Sequence, residues 1–514
     1  MQMPGDKKPP SLGVLMRETA EGIGHVYMVR CAAGNPLASR RVSTRQTRVS
    51  APHRWLGGFQ NVRTPGTGVL ACPDLCHRLL ESGWRSVLLF CLSAALVTAQ
   101  IRTEPNPPNA NHQRTKPYVV LVSLDGFRHD YAERYGAKNL LELGREGVRA
   151  ASLIPPYPSL TFPAHYTIVT GLRPARHGMV EMHFYDPALK ERFDYNTRNA
   201  GDGKWFGGTP LWALAERQGM RAASFFWVGS EAEIQGVRPS FWSRYDGSVP
   251  SDARVRQVLD WLRLPEAERP HFVTLYFSSV DSAGHANGPD SDAVRKAVLE
   301  VDQIIGRLRE GLRSLALPVN LFVVSDHGME AVQGEWINVY EMADFSGLVA
   351  SGSPAQVMLY GAERDVARVE KDLRGNKDPR GKDPRLRVYR RRDLPAHLRY
   401  TASARIGDLV VVADGPYLLA GQPWKPTERA PRRNLPRGMH GYDPRRPDLH
   451  GIFFAAGPDL RRGMRIGSFE MIHIYPLIAR ILGLEPPKDI DGSFSPLSKI
   501  YVRPPRERGP RKGN

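Results

Sequence analysis

The chain has 514 residues, 41% of them hydrophobic, with a mean hydropathy of −0.38, so it is a soluble globular protein long enough for a large core and more than one domain. Its net charge of +18 leaves nucleic acid or an anionic membrane surface open as partners, with later basic excess at Arg374 to Arg392 and Tyr501 to Asn514. Those runs contain Pro and Gly and lack interleaved aromatics. They read as solvated loops, and no nucleic-acid-binding motif accompanies them.

The four cysteines, Cys31, Cys72, Cys76 and Cys91, all precede residue 100. The remaining chain therefore has no disulfide and no thiolate metal site. Cys72 and Cys76 have a zinc-like gap, but no second Cys or His pair follows at zinc-site spacing.

Residues 1–84 mix Gly, Pro, Arg and Ser without periodicity and read as disordered, or as a spurious extension ahead of the true start. At 85–99 a basic flank, the apolar run Val87 to Ala99 and a Val-x-Ala ending form a secretory signal peptide, too short to span a bilayer. This predicts a secreted or periplasmic protein with no transmembrane helix in its mature form. Residues 100–117 are a Pro- and Asn-rich spacer.

Tyr118 to Gly126 is apolar on both faces and ends in Asp-Gly, as a buried parallel strand does. A helical stretch over Arg128 to Glu146 and a short strand over Arg149 to Ile154 follow. They lead to Pro158–Gly171, in which Ser159 and Thr161 could cap a helix and Pro163 suits its first turn. Leu211 to Gln218 reads as a helix and Arg221 to Trp227 as a strand. Ser251 to Arg263 is amphipathic, with Val255, Val258, Leu259 and Leu262 at helical spacing. His271 to Asp281 is a strand ending in Asp, Asp292 to Leu315 a long helix, and Asn320 to Gly328 another strand reaching Asp326. Gly407 to Asp414 and Gly451 to Pro458 are further strands. The alternation predicts an α/β fold with a mostly parallel central sheet flanked by helices. The pattern weakens between 331 and 436, which read as a small inserted or capping subdomain. The core is then 118–330 with 437–500, and 501–514 is a basic tail.

Three strands thus end in acids, Asp125, Asp281 and Asp326. A single such Asp is usually a turn residue or a cap. Here His285 follows Asp281 by four residues, His327 adjoins Asp326, and His440 lies between glycines of GMHGYDP. In open α/β sheets, sites form at the carboxyl ends of strands. Mixed Asp/His ligation without Cys suits zinc, with other divalent metals possible. Thr161 is the candidate nucleophile, and a Thr hydroxyl needs a metal or base to activate it.

The pieces SLDGFR, PSLTFPAHYTIVTGLRPARHG, FYDP, GSEAEIQGVRP, VDSAGH, SDHGM and GMHGYDP resemble, in order, the nucleotide pyrophosphatase/phosphodiesterase family of the alkaline phosphatase superfamily. The resemblance implies an alkaline-phosphatase-like core and two Zn2+ ions. Asp125, Thr161, Asp326 and His327 would hold one ion, and Asp281, His285 and His440 the other. Phe162, Tyr245 and Tyr276 would form the nucleotide pocket. It implies attack by Thr161 and a covalent phosphothreonine ester. One departure stands out, since Met182 occupies the position of the usual Asn and cannot donate its hydrogen bond. His183 could replace that donor if its ring faces the metals. His165 and His177 read as structural, and His473 as a surface or capping residue.

The expected activity is hydrolysis of phosphodiester or pyrophosphate bonds of nucleotides by a monomeric enzyme with a small-molecule substrate. A phosphomonoesterase or non-nucleotide diesterase of the same superfamily, and a non-catalytic phosphate-binding relative, are the alternatives. A sulfatase would need a C/S-x-P-x-R motif, which Thr161-Phe162-Pro163-Ala164-His165 does not provide.

Overall fold

The computed structural model describes residues 100–502 except 335, 376, 379–380, 383 and 421–434. The expectations for 1–84 and 85–99, all four cysteines and most of the 501–514 tail lie outside the described residues.

A nine-stranded sheet organises the fold. Its order is 101–103, 241–243, 222–225, 272–277, 118–124, 319–324, 453–456, 148–150 and 464–466. The three central strands, Phe272–Phe277, Tyr118–Leu124 and Val319–Val324, run parallel. All seven residues of Tyr118–Leu124 are buried, which explains the unbroken apolar run. Each apolar side chain removed from water there contributes about 1.5–3 kcal/mol. Phe453–Ala456 runs antiparallel between its neighbours, so the sheet is mostly, not wholly, parallel.

The helices cover both faces. Ser251–Arg263 and Asp292–Ser314 bury their periodic apolar stripes in the core on one side, and Ile474–Leu482 packs with the other. The stretch expected as one helix from Arg128 is two, Tyr131–Tyr135 and Lys138–Glu146, because Gly136 turns left-handed at φ 71° and ends the first.

A second sheet is antiparallel, in the order 349–353, 356–360, 409–413 and 386–390. Gly407 to Asp414 therefore contributes its strand here, as Leu409–Ala413, rather than to the central sheet. Val357, Leu359, Leu409 and Val411 face a local core shared with the helix Glu363–Gly375. Their alternates Met358, Tyr360 and Val410 join the main core. Both faces are buried, so no polar/apolar alternation marks these strands in the sequence.

Candidate metal centre and active site

The carboxyl ends of the three central strands converge. Asp125 directly follows Tyr118–Leu124, and Asp326 lies just past Val319–Val324. The third strand stops at Phe277, short of the expected Asp281. A helix, Ser279–Asn287, begins there and carries Asp281 in its first turn and His285 one turn later, on one face. Gly126 lets the Asp125 strand approach this helix. Its φ is +67°, and a Cβ there would stand 2.7 Å from the Cα of Asp281.

Thr161 opens the helix Thr161–Thr170, and Leu160 is the cap residue, in extended backbone. Neither Ser159 nor Thr161 caps through its side chain. Ser159 instead bridges two loops. Its hydroxyl donates to the Tyr442 carbonyl and accepts from the Gly441 amide, each at 3.0 Å, and its carbonyl accepts from His440 Nδ1 at 2.9 Å. The loop before the nucleophile thus fixes the loop bearing His440.

Each of the three histidines is oriented in the same way. Nδ1 of His285, His327 and His440 donates to the carbonyl of Gly438, Gly328 and Ser159, at 2.8, 2.9 and 2.9 Å. A carbonyl can only accept, so the proton is on Nδ1 and Nε2 is left as a ligand atom. His327 Nε2 lies 3.3 Å from Thr161 Oγ1, 3.1 Å from Asp326 and 3.4 Å from Asp125. His285 Nε2 is 3.1 Å from His440 Nε2 and 3.3 Å from Asp281. Two inward lone pairs at that distance call for a cation between them.

The carboxylates say the same. Asp125 Oδ1, Asp281 Oδ1 and Asp326 Oδ2 are buried and lack a hydrogen-bond partner. Three such acceptors in one place are costly unless positive charge meets them. Burial, then repulsion from Asp326 and Asp281, pushes Asp125 well up. Burial also opposes the charge on Asp326, but His327 and His165 outweigh it and hold that carboxyl well below its usual range. Burial would lower His327, yet Asp326, Asp125 and Asp281 raise it to about 10. Burial and the neighbouring His327 and His285 depress His440 to about 3. The acids draw positive charge into the cluster, and a divalent cation supplies it without a proton on a ligand nitrogen.

Ligand atoms of Asp125, Asp326 and His327 lie within 4.8 Å of one another, as do those of Asp281, His327 and His440. His327 stands at the junction, its ring stacked on His440 at 3.5 Å. The donor set, all oxygen and imidazole nitrogen, fits divalent metal ions.

The profile of the type I phosphodiesterase / nucleotide pyrophosphatase family matches residues 119–443. Ectonucleotide pyrophosphatase/phosphodiesterase family member 1 of Mus musculus is 34% identical over 463 residues, covering 86% of this chain and 49% of that protein. The chain belongs to the type I phosphodiesterase / nucleotide pyrophosphatase family. Venom phosphodiesterase CdcPDE of Crotalus durissus collilineatus is 34% identical over 395 residues, 75% of this chain and 46% of that one. The chain spans about half the length of these relatives. An inactive murine ectonucleotide pyrophosphatase / phosphodiesterase 5 in complex with AMP superposes with a TM-score of 0.69 at 26% identity, over 75% of this chain and all of that one. The alkaline-phosphatase-like α/β fold follows from that match, and the matched stretch 119–443 holds every residue of the cluster.

Around the cluster the residues divide. Tyr276 donates its hydroxyl to Asp125 Oδ2 at 2.6 Å, so it orients a carboxylate as well as lining the site. Tyr245 is 48% exposed and lies edge-on to Tyr276 and Phe226. Phe162 lies against Tyr195, whose ring in turn meets His183. His183 Nδ1 lies 3.2 Å from Asp194, which occupies that ring nitrogen. Met182 Sδ accepts from the Phe162 amide at 3.4 Å.

Sequence reasoning missed Tyr195, whose signal was a two-residue step from buried Phe193 beyond a short hairpin. It also undervalued His165. Nδ1 of His165 lies 2.9 Å from the Thr161 carbonyl and 3.2 Å from Asp326, and Nε2 meets Ser123 Oγ at 2.8 Å. The i to i+4 spacing from Thr161 was the available clue. His177 is buried between Thr167 and the Met179 amide, and burial lowers it to about 3, so it is a neutral core residue. His473 caps Ile474–Leu482 by position and bonds Ser493.

Proposed function

We propose that this chain hydrolyses phosphodiester or pyrophosphate bonds of nucleotides, with Thr161 as nucleophile and two zinc ions as cofactors. The observation that carries this reading is the convergence of three unsatisfied buried carboxylate oxygens and three inward Nε2 atoms beside Thr161 Oγ1. Asp125, Asp326, His327 and Thr161 would hold one ion, and Asp281, His285 and His440 the other. Bound there, the ions would lower the pKa of the Thr161 hydroxyl and stabilise the leaving oxygen.

The remaining roles belong to side chains and backbone. Thr161 Oγ1 attacks phosphorus, the bond to the leaving oxygen breaks, and a phosphothreonine ester forms. Water then cleaves that ester and restores Thr161. The helix Thr161–Thr170 directs its positive end at the reacting phosphoryl group. His165 holds the Thr161 carbonyl from behind with the same nitrogen 3.2 Å from Asp326, and Tyr276 fixes Asp125. Phe162, Tyr195 and Tyr245 offer ring faces or edges to a base.

Export fits the apolar run at 85–99 and the venom phosphodiesterases among the relatives. Among the described residues no helix is long and apolar enough to cross a membrane. The chain is proposed to act as a monomer.

Hydrolysis of the p-nitrophenyl ester of thymidine 5′-monophosphate is the test, beside p-nitrophenyl phosphate, before and after chelation and zinc return. The expected result is a zinc-restored preference for the diester that Thr161→Ala abolishes. Preference for the monoester would assign a phosphatase instead. Binding of both without turnover would assign a phosphate-binding protein.

A further inference from the structure

Glu181 is fully buried beside the active-site wall, and among the described residues no Lys or Arg pairs with it. Its Oε2 accepts from the amides of Met182 and His183, the latter at 3.2 Å. Its Oε1 has no partner within hydrogen-bond distance, although Ser353 and Gln356 of the antiparallel sheet lie beside it. Three buried phenols face it from three elements. Tyr157 precedes the nucleophile, Tyr360 ends a strand of the second sheet, and Tyr400 lies in the connection between the strands 386–390 and 409–413 of that sheet. Burial first, and Glu181 among the further causes, raises all three, so they stay neutral. A hydrogen-bonded chain ties them to the segment. Tyr157 donates to Gln356 at 2.9 Å, Gln356 donates to Tyr400 at 3.2 Å, and Tyr400 donates to the Val180 carbonyl at 2.7 Å.

A carboxylate folded back on the next two amides fixes the turn they belong to. That turn places Met182, whose thioether sits on the Phe162 amide. This amide is one of the first donors of the nucleophile's helix, where an anionic oxygen would otherwise bind. A thioether is a weak acceptor that a phosphoryl oxygen can displace.

We propose that Glu181 is a positioning residue, whose carboxylate holds the Met182 thioether over the Phe162 amide and so controls the access of a phosphoryl oxygen to the nucleophile's helix. Burial pushes the Glu181 carboxyl up to about 7, against the lowering pull of Ser353 and of the His183 and Met182 amides. Near neutral pH the group gains a proton as pH falls, the amide acceptor weakens, and the grip on Met182 loosens. The placement of Met182 stands apart from the hydrolase reading, and only its catalytic consequence rests on it.

Methyl-13C-methionine spectra of the full chain test the placement without turnover. The Met182 signal is assigned by its loss in Met182→Leu. The expected result is a Met182 methyl that titrates with a midpoint near 7 in the wild type and is flat in Glu181→Gln. A flat wild-type signal, or the same titration in Glu181→Gln, would overturn the proposal. Should Glu181→Gln not fold, the wild-type titration decides alone. With the thymidine diester, KM should change about three- to tenfold in Glu181→Gln at pH 8, with kcat little altered, and the inflection near 7 in kcat/KM should vanish. An unchanged KM and a retained inflection would overturn the catalytic consequence. No turnover by the wild type would fail the hydrolase reading while the spectra still decide the placement.

Discussion

The metal cluster and the aromatic rim lie side by side and are built on opposite terms. In the cluster five of the seven ligand-type side chains are held by something that is not a ligand. Three backbone carbonyls fix the three imidazoles, Tyr276 and the Gly126 amide fix Asp125 and Asp326, and Ser159 ties the His440 loop to the nucleophile loop. The rim has little of this. The side chains of Phe162 and Tyr195 touch neighbours ring to ring, Tyr245 adds a hydroxyl contact with Ser278 at 3.2 Å, and Tyr195 and Tyr245 are exposed. On the proposed function, the difference separates chemistry, which needs fixed geometry, from selection of the substrate, which tolerates adjustable surfaces.

Substitutions that act on one region and spare the other sharpen this contrast. The largest effect is expected in His440→Ala, with kcat on the diester falling on the order of 10^3-fold or more, together with loss of bound metal. Retained activity would break the division. Chelation comes next. It should lower the thermal midpoint, since the cluster loses the charge that offsets three buried carboxylates, and metal at about 1,000 times its Kd restores about 4 kcal/mol. A midpoint unmoved by chelator would contradict the electrostatic account. Tyr276→Phe removes only one hydroxyl, so metal affinity should fall about 10- to 100-fold in a competition titration, with the fold intact. At the rim, Tyr245→Ala should raise KM for the thymidine diester about tenfold and leave metal content at the wild-type value. A fall in kcat without a change in KM would place Tyr245 in the chemistry instead.

Much of the cluster is legible in the sequence because its acids follow apolar runs. Tyr118–Leu124 and Val319–Val324 are buried throughout or nearly so, and the first polar residues beyond them are Asp125 and the Ser325-Asp326-His327 group. Asp281 is misplaced by the same logic, since the apolar pattern does not reveal that the strand stops at Phe277 and a helix begins at Ser279. What a side chain bonds across the fold is not legible at all. Ser159 reads as a cap and is a cross-link between loops, while His165 reads as scaffold and abuts both Asp326 and the nucleophile's carbonyl. The second sheet is faint because Met358 and Val357 are buried on opposite faces, against different cores, which erases the period of two.

The most direct test is the metal content of the full chain, measured by elemental analysis after dialysis into metal-free buffer. Two divalent ions per chain, zinc foremost, with one lost in His285→Ala, is the result predicted by a cluster of two ligand sets meeting at His327. A wild-type chain that holds no metal and hydrolyses the thymidine diester at full rate in chelator would contradict it.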